Sequence, residues 1–441
     1  MRKTLGLLLT LALAGASAFA APKVVILKPT IKGTPTQGVL KAQKEPHTLA
    51  KYKAQNNLSA AMNQRLIKEK QGATFLNGTI DTIPYFNSWF VTGSRNSVYT
   101  YSMVGHSPKA GGTTSLNNEL IPLITQLIDA SGNLAFTFDP TVANDPQGSD
   151  ISLLQQSPIF DTTTTYPGNG GSLPPDTGQI TDTHMRASFP TVRTADWHTP
   201  LNAPTFPQVQ YTMVLSFNNG DWTLACCDQN GNNFPVVNID SISNVFGQIL
   251  ALEAPANNVV PIFQTDFVTA FIPGGGCCVI GFHTAQAGIV DPNGILVWTW
   301  ASFLPQSNDP FGPGFSDITA ASHEIDELYN DPFVNTLVSA WVDGSVSFAQ
   351  GNLETGDVIE AMASVDSIFP VTLTTTGGAY TFHPQNEASL QWFTRNPRAP
   401  ANGPGPGVYS WPNTNTLNNG HNPAGWVYGE GPGGFFFGPP F

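Results

Sequence analysis

Positive charge is what this chain has least of. Residues 194–394 contain no Lys or Arg, yet they carry 19 Asp and Glu. Phosphate contacts need cationic side chains, so a nucleic-acid groove on this body is excluded. Acids in that stretch must be answered by a bound metal, a His, solvent or a proton. Charged residues of any kind make up only 11% of the 441 residues, under half of the roughly 25% usual in soluble domains. No apolar run reaches the ~18 residues of a membrane-spanning helix, so no integral membrane segment is expected. Cysteine is scarce too, at four residues. Aromatics are not scarce: at 11% they argue against a disordered, solvating chain.

Residues 1–20 read as a secretory signal peptide. Arg2 and Lys3 open it, residues 5–14 form a short apolar run, and Ala18-Phe19-Ala20 is an A-x-A cleavage site. The mature product is expected to begin at Ala21 and to be secreted or periplasmic. Its cysteines, Cys226-Cys227 and Cys277-Cys278, are then expected to be oxidised. A bridge between the two pairs is the expected pairing, although four cysteines allow three connectivities. Adjacent cysteines suit a zinc knuckle poorly, because its ligands are spaced C-x2–4-C.

The chain divides by composition into four stretches after the signal peptide. Residues 21–72 are basic, with ten Lys and Arg against two acids over 21–70. They read as a pro-segment or arm docking on the acidic body, or as a solvated tail, with a strand at 24–27 and a helix over 48–70. Residues 73–258 read as a β-rich domain. Strands are expected at 75–80, 88–91, 208–215 and 234–240, and a helix over 240–252. Residues 118–127 fit a strand or a short helix, and 161–182 a long polar loop. In residues 259–398, strands are expected at 263–271, 278–282 and 295–303. The clearest helix covers 316–330, capped by Ser316 or Asp317 and ended by Asp331-Pro332. Residues 399–441 form a tail rich in Gly, Pro and aromatics, including Trp411, Trp426 and Phe435-Phe436-Phe437. The fold class expected is α+β, a β-rich N-terminal half supporting a C-terminal half around one central helix.

That helix carries the chemistry. It reads Ser322-His323-Glu324-Ile325-Asp326-Glu327-Leu328-Tyr329. Viewed down its axis, Glu327 falls about 40° from His323 and Glu324 about 100°. Ile325, Leu328 and Tyr329 lie on the opposite, packing arc. His and Glu at i, i+4 can hold one metal ion, and the intervening Glu can polarise a bound water; this is the mechanical content of H-E-x-x-H. Here Glu327 replaces the second His, and carboxylate is an accepted zinc ligand. Three acids in the C-terminal half of a helix also oppose its macrodipole, which a divalent cation would offset. Downstream, Asn352-Leu353-Glu354-Thr355-Gly356-Asp357 places two carboxylates around a Gly turn. The competing account is a solvated amphipathic helix with an acidic face.

These motifs resemble two groups of secreted proteins. The residues are His323-Glu324-x-x-Glu327, Asp331-Pro332-Phe333-x-Asn335, Trp341 and Asn352-Leu353-Glu354-x-Gly356-Asp357, with Gly281-Phe282-His283 upstream. One group is a set of exported bacterial proteins. The other is the plant phosphate-induced, EXORDIUM-like proteins. The likeness runs over about 277–395, and the bacterial group is also echoed at Ser157-Pro158-Ile159-Phe160 and Asp196-Trp197-His198-Thr199. The helix pattern is similar to that of zincin metallopeptidases. That resemblance implies a divalent metal, zinc by analogy, held by His323 and Glu327 with Glu354 or Asp357 as third ligand. It implies Glu324 as general base and a peptide or cell-envelope substrate. The zincin second His, the Met-turn and the downstream His are missing. A structural metal site in a non-catalytic surface protein is the alternative.

Other residues were weighed beside this cluster. His283 and Trp341 are candidates for a cleft wall, against a strand-end His satisfied in the core. Glu387, four residues after His383, is expected to pack rather than to ligate. Asp196, Trp197 and His198 read as a structural turn. No G-x-S-x-G elbow, phosphate-binding loop or dinucleotide fingerprint occurs, and no motif supports a paired-carboxylate glycosidase.

Overall fold

The computed structural model describes residues 23–36, 38–47, 64–66, 68, 80–92, 97–169, 173–306, 310–311, 315–342, 349–362, 367–395 and 408–417. The expected helix over 48–70 lies mostly outside these residues. So do the strand at 75–80 (all but Ile80), the signal peptide, Trp426 and Phe435-Phe436-Phe437. The described chain is mixed α/β, with many strands and few helices.

Its frame is a seven-stranded sheet made of β1 (Lys23–Leu27), β2 (Asn117–Ile128), β3 (Leu134–Phe138), β4 (Val209–Ser216), β5 (Val259–Asp266), β6 (Gly281–Ala287) and β7 (Ile295–Phe303). The order is β1-β4-β2-β5-β7-β6, with β3 paired to β2. Neighbours from β1 to β7 run parallel, and β6 closes one edge antiparallel to β7. Strands from both sides of residue 258 therefore share one sheet. Val259 pairs with Asn117, across the boundary that composition suggests. Residues 118–127 are strand, not helix, because β2 is flanked by three partners and buries every second side chain.

Among the described residues from Ile80 onward, the α-helices are α1 (Asp150–Gln155), α2 (Ile180–Ser188), α3 (Ile239–Glu253), α4 (Thr319–Asn330), α5 (Thr355–Met362) and α6 (Leu390–Phe393). Strand alternation sorts β7 between two cores. Ile295, Val297, Ala301 and Phe303 join the cluster that holds Ile325 and Leu328 of α4. Leu296, Trp298 and Trp300 join the one that holds Ile242, Val245, Phe246 and Ile249 of α3. All nine residues of β7 are buried, as a run that is apolar at all but Thr299 and Ser302 predicts for a strand covered on both faces. The sheet is thus a middle layer, with α3 on one side and α4 on the other. Among the described residues, no helix is long and apolar enough to cross a membrane.

The basic segment is not a free tail where it is described. β1 pairs with β4, and Leu40–His47 forms one strand of a small closed barrel with Trp222–Cys226, Asn233–Asn238, Ala270–Phe271 and Cys277–Val279. That strand overturns the expected disulfide. Cys226 pairs in register with Lys41, and Cys277 with Ala42, on opposite edges of Leu40–His47. Second-neighbour strands stand roughly 8–10 Å apart, beyond the ~7 Å Cα limit for a bridge. Each cysteine is instead bonded to its sequence neighbour, Cys226 to Cys227 and Cys277 to Cys278, with Cα atoms 3.0 Å apart in both pairs.

Candidate metal centre

All twelve residues of α4 are buried. A solvated acidic face is therefore excluded, and each polar side chain must be answered inside the protein. Its apolar arc meets the sheet. Asp326 turns toward α2 and α5, where Oδ2 accepts from His184 Nδ1 at 2.7 Å and from Thr355 Oγ1 at 3.0 Å. His323, Glu324 and Glu327 turn toward β6 and the start of α5. Neither expected cap residue caps the helix. Ile318 takes the N-cap position without a side-chain bond, while Asp317 binds His383 Nδ1 at 2.7 Å. Asp331 ends the helix, and its N–H donates to the Glu327 carbonyl.

Two groups of potential ligands converge here, His283–Glu324–Glu327 and His323–Glu327–Asp357. Within each, the ligand atoms lie within 4.8 Å of one another. His323 Nε2 is 3.1 Å from Glu327 Oε1 and 3.6 Å from Asp357 Oδ1. His283 Nδ1 is 3.3 Å from Glu324 Oε2 and 3.6 Å from Glu327 Oε2. His283 reaches the helix because β6 alternates: Phe282 points to the α3 core, and His283 to the opposite face.

The other ring nitrogens set the tautomers. Gln385 Nε2 donates to the Gly356 carbonyl at 2.9 Å, which turns Gln385 Oε1 toward His323 Nδ1 at 3.0 Å. His283 Nε2 faces the Asp331 carbonyl at 3.3 Å. Each ring thus has one nitrogen nearest an uncharged oxygen (for His323 with Glu360 Oε1 also at 3.5 Å), and its second nitrogen aimed at two carboxylate oxygens. A bare lone pair there is repelled unless a proton or a metal ion lies between. Neutral imidazole nitrogen and carboxylate oxygen are both divalent-metal ligands, so the donor chemistry fits such an ion.

Electrostatics without an ion follow the same logic. Burial pulls the His323 proton off, but Glu327, Glu360 and Asp357 outweigh it and hold the imidazolium well above its usual range. Burial raises the Glu360 carboxyl well above normal; His323 pulls it back, and Asp357, Glu327 and Glu324 push it further up. Burial, then Asp326, does the same to Glu387. Among the described residues, neither Glu387 carboxyl oxygen has a hydrogen-bond partner.

Two glycines make room for the cluster. A Cβ on Gly281 would stand 2.8 Å from Glu324 Cγ. One on Gly356 would overlap the His323 ring, well under 3.0 Å from Nδ1, Cε1 and Cγ. The expected Gly turn is in fact the first turn of α5, whose Gly356 and Asp357 N–H groups each donate to Glu327 Oε1 at 3.2 Å.

Of the residues singled out from sequence, His323, Glu324, Glu327, Asp357 and His283 are brought together. Glu354 is buried beside α5 but belongs to neither convergent group. Trp341 is core, not cleft: it is 0% exposed, donates to the Asn352 carbonyl at 3.1 Å and meets Trp392 edge-on at 6.0 Å. Trp197 is buried and donates to the His106 carbonyl, while His198 pairs with Asp182, a structural arrangement. Sequence reasoning missed Glu360, although its i, i+3 spacing from Asp357 was a signal. It also missed Gln385 and set Glu387 aside as packing. No family model matches the chain, and no curated protein or solved structure matches it either.

Proposed function

We propose that this protein is an exported, zincin-like metal-dependent hydrolase acting on a peptide or related carbonyl bond. The observation that carries the reading is the three-donor group His323, Glu327 and Asp357 with Glu324 on the same helix. Three protein ligands leave a position for water or substrate, the arrangement of catalytic rather than structural zinc. A bound divalent ion would supply Lewis acidity and make water a nucleophile near neutral pH. Glu324 takes the proton from the attacking water and returns it to the leaving group. In this single-ion arrangement a proton on His283 Nδ1, 3.3 Å from Glu324 Oε2, would hold that carboxylate in place. Gln385 fixes the His323 tautomer, leaving Nε2 as the ligand atom.

A second reading, a structural ion in a non-catalytic surface protein, is favoured by burial. His283, His323, Glu324 and Glu327 are each 0% exposed, so a polymeric substrate requires an opening movement. The test is metal analysis of the purified chain, then hydrolysis of casein and peptide libraries by wild type and Glu324→Gln. Catalysis predicts bound metal in both proteins and a rate about 10²–10⁴-fold lower in the variant. Metal without hydrolysis in either supports the structural ion. No metal removes both readings, and equal activity removes Glu324 as the base.

A further inference from the structure

Glu327 belongs to both groups of ligands, and it presents a different oxygen to each. Oε1 faces His323 Nε2 at 3.1 Å, and Oε2 faces His283 Nδ1 at 3.6 Å. Each imidazole nitrogen is matched by one further carboxylate, Asp357 for His323 and Glu324 for His283. The arrangement is therefore two sets, each of one imidazole and one terminal carboxylate, joined by a shared carboxylate. We propose that the centre binds two divalent cations, with Glu327 bridging them. This rests on the metal-site reading above but changes one role in it: Glu324 becomes a ligand of the second ion.

Further observations support two ions rather than one. His323 Nδ1 is engaged by Gln385 Oε1 at 3.0 Å, with Glu360 Oε1 at 3.5 Å, and His283 Nε2 by the Asp331 carbonyl at 3.3 Å, so both rings, not one, point their remaining nitrogen at the shared Glu327. Carboxyl groups also crowd the centre: Glu324, Glu327 and Asp357 are joined by Glu360, 3.5 Å from His323 Nδ1, and by Glu387, and residues 194–394 supply no Lys or Arg beside them. Finally, Glu387 is 3% exposed with neither carboxyl oxygen bonded among the described residues. It follows Gln385 by two residues in extended chain, on the side whose amide meets His323. A carboxylate bridging two ions roughly 3.5–4 Å apart is a familiar hydrolase arrangement.

The test uses the full chain, stripped with chelator and titrated with Zn²⁺ by calorimetry, with bound metal counted by elemental analysis. Two equivalents per chain are expected. His283→Ala is expected to retain one equivalent, and Glu327→Gln to weaken both at least ~10-fold, the smallest loss typical of disturbed metal sites. Loading the wild type with Mn²⁺ gives a readout that does not depend on a variant folding: two bridged ions give an exchange-coupled paramagnetic resonance spectrum. One equivalent in the wild type overturns the second ion and leaves the single-ion hydrolase standing. No binding overturns both. Two equivalents of Mn²⁺ with the uncoupled six-line signal overturn the Glu327 bridge.

Discussion

Gly356→Ala sets two effects of opposite sign against each other. Gly356 is the second residue of α5. Replacing a helical glycine by alanine is worth up to about 1 kcal/mol in the helix's favour. Here, though, the added methyl would overlap the His323 ring. That ring is 0% exposed and held at both nitrogens, by Gln385 at 3.0 Å and Glu327 at 3.1 Å. It cannot swing aside without breaking one of those contacts. Overpacking of this kind costs about 1–3 kcal/mol, so packing should outweigh a full propensity gain by up to about 2 kcal/mol. A displaced ring should also weaken Zn²⁺ binding at least ~10-fold, about 1.4 kcal/mol. Gly247→Ala is the control. Gly247 lies within α3, and an added Cβ there meets nothing within 4 Å. It should gain up to about 1 kcal/mol and leave metal affinity unchanged. Urea unfolding and calorimetric Zn²⁺ titration of both variants measure the two quantities. If Gly356→Ala matches Gly247→Ala in stability and binds Zn²⁺ like the wild type, the packing of Gly356 on His323 is refuted.

Two further outcomes are expected away from the metal centre. Asp150 and Asp266 form a buried carboxyl pair: burial, then Asp266, pushes Asp150 up to about 10, and burial pushes Asp266 up to about 6. Both lie above the unfolded value of 3.8, so the native state holds the extra protons. The stability they contribute is full below about pH 4 and is lost as pH rises through about 6 and then 10. Asp150→Asn should lose less stability than the wild type between pH 5 and 9, by at least ~1 kcal/mol in urea unfolding; a variant that loses more contradicts this account. The cysteine pairing is checked by digesting the non-reduced protein. Peptides containing Cys226-Cys227 and Cys277-Cys278 should separate by mass without reductant, each 2 Da lighter than its dithiol (about one proton per sulfur). A linked pair of peptides would contradict the neighbour bonds.

The parts legible in the sequence were those with strong local patterns. Residues 295–303 are apolar at all but Thr299 and Ser302 and form β7 with those bounds. The helix ending at Asp331-Pro332 does end there. α2 was not expected: only its first three residues fall in the expected polar loop at 161–182, and Ile180-Thr181-Asp182-Thr183-His184 lacks an apolar stripe. Two of its polar side chains find partners far away in the sequence, Asp182 in His198 and His184 in Asp326. The His323–Glu327 pair could be seen because both lie on one helix. His283 could not be weighted properly, since nothing local shows which strand faces that helix. The cysteine pairing failed for the same reason: the strand that separates the two pairs lies some 180 residues before the first of them, at Leu40–His47.

That strand and β1 also bear on the order in which the chain can fold. β1 finds its partner only at Val209–Met213, and Leu40–His47 completes its barrel only when Val279 is in place. Contacts of such sequence separation form late, after the loop-closure entropy of the intervening chain has been overcome. Among the described strands, Lys23–Leu27 and Leu40–His47 are therefore expected to be among the last seated, and the segment that carries them is the seam that closes the sheet and the barrel.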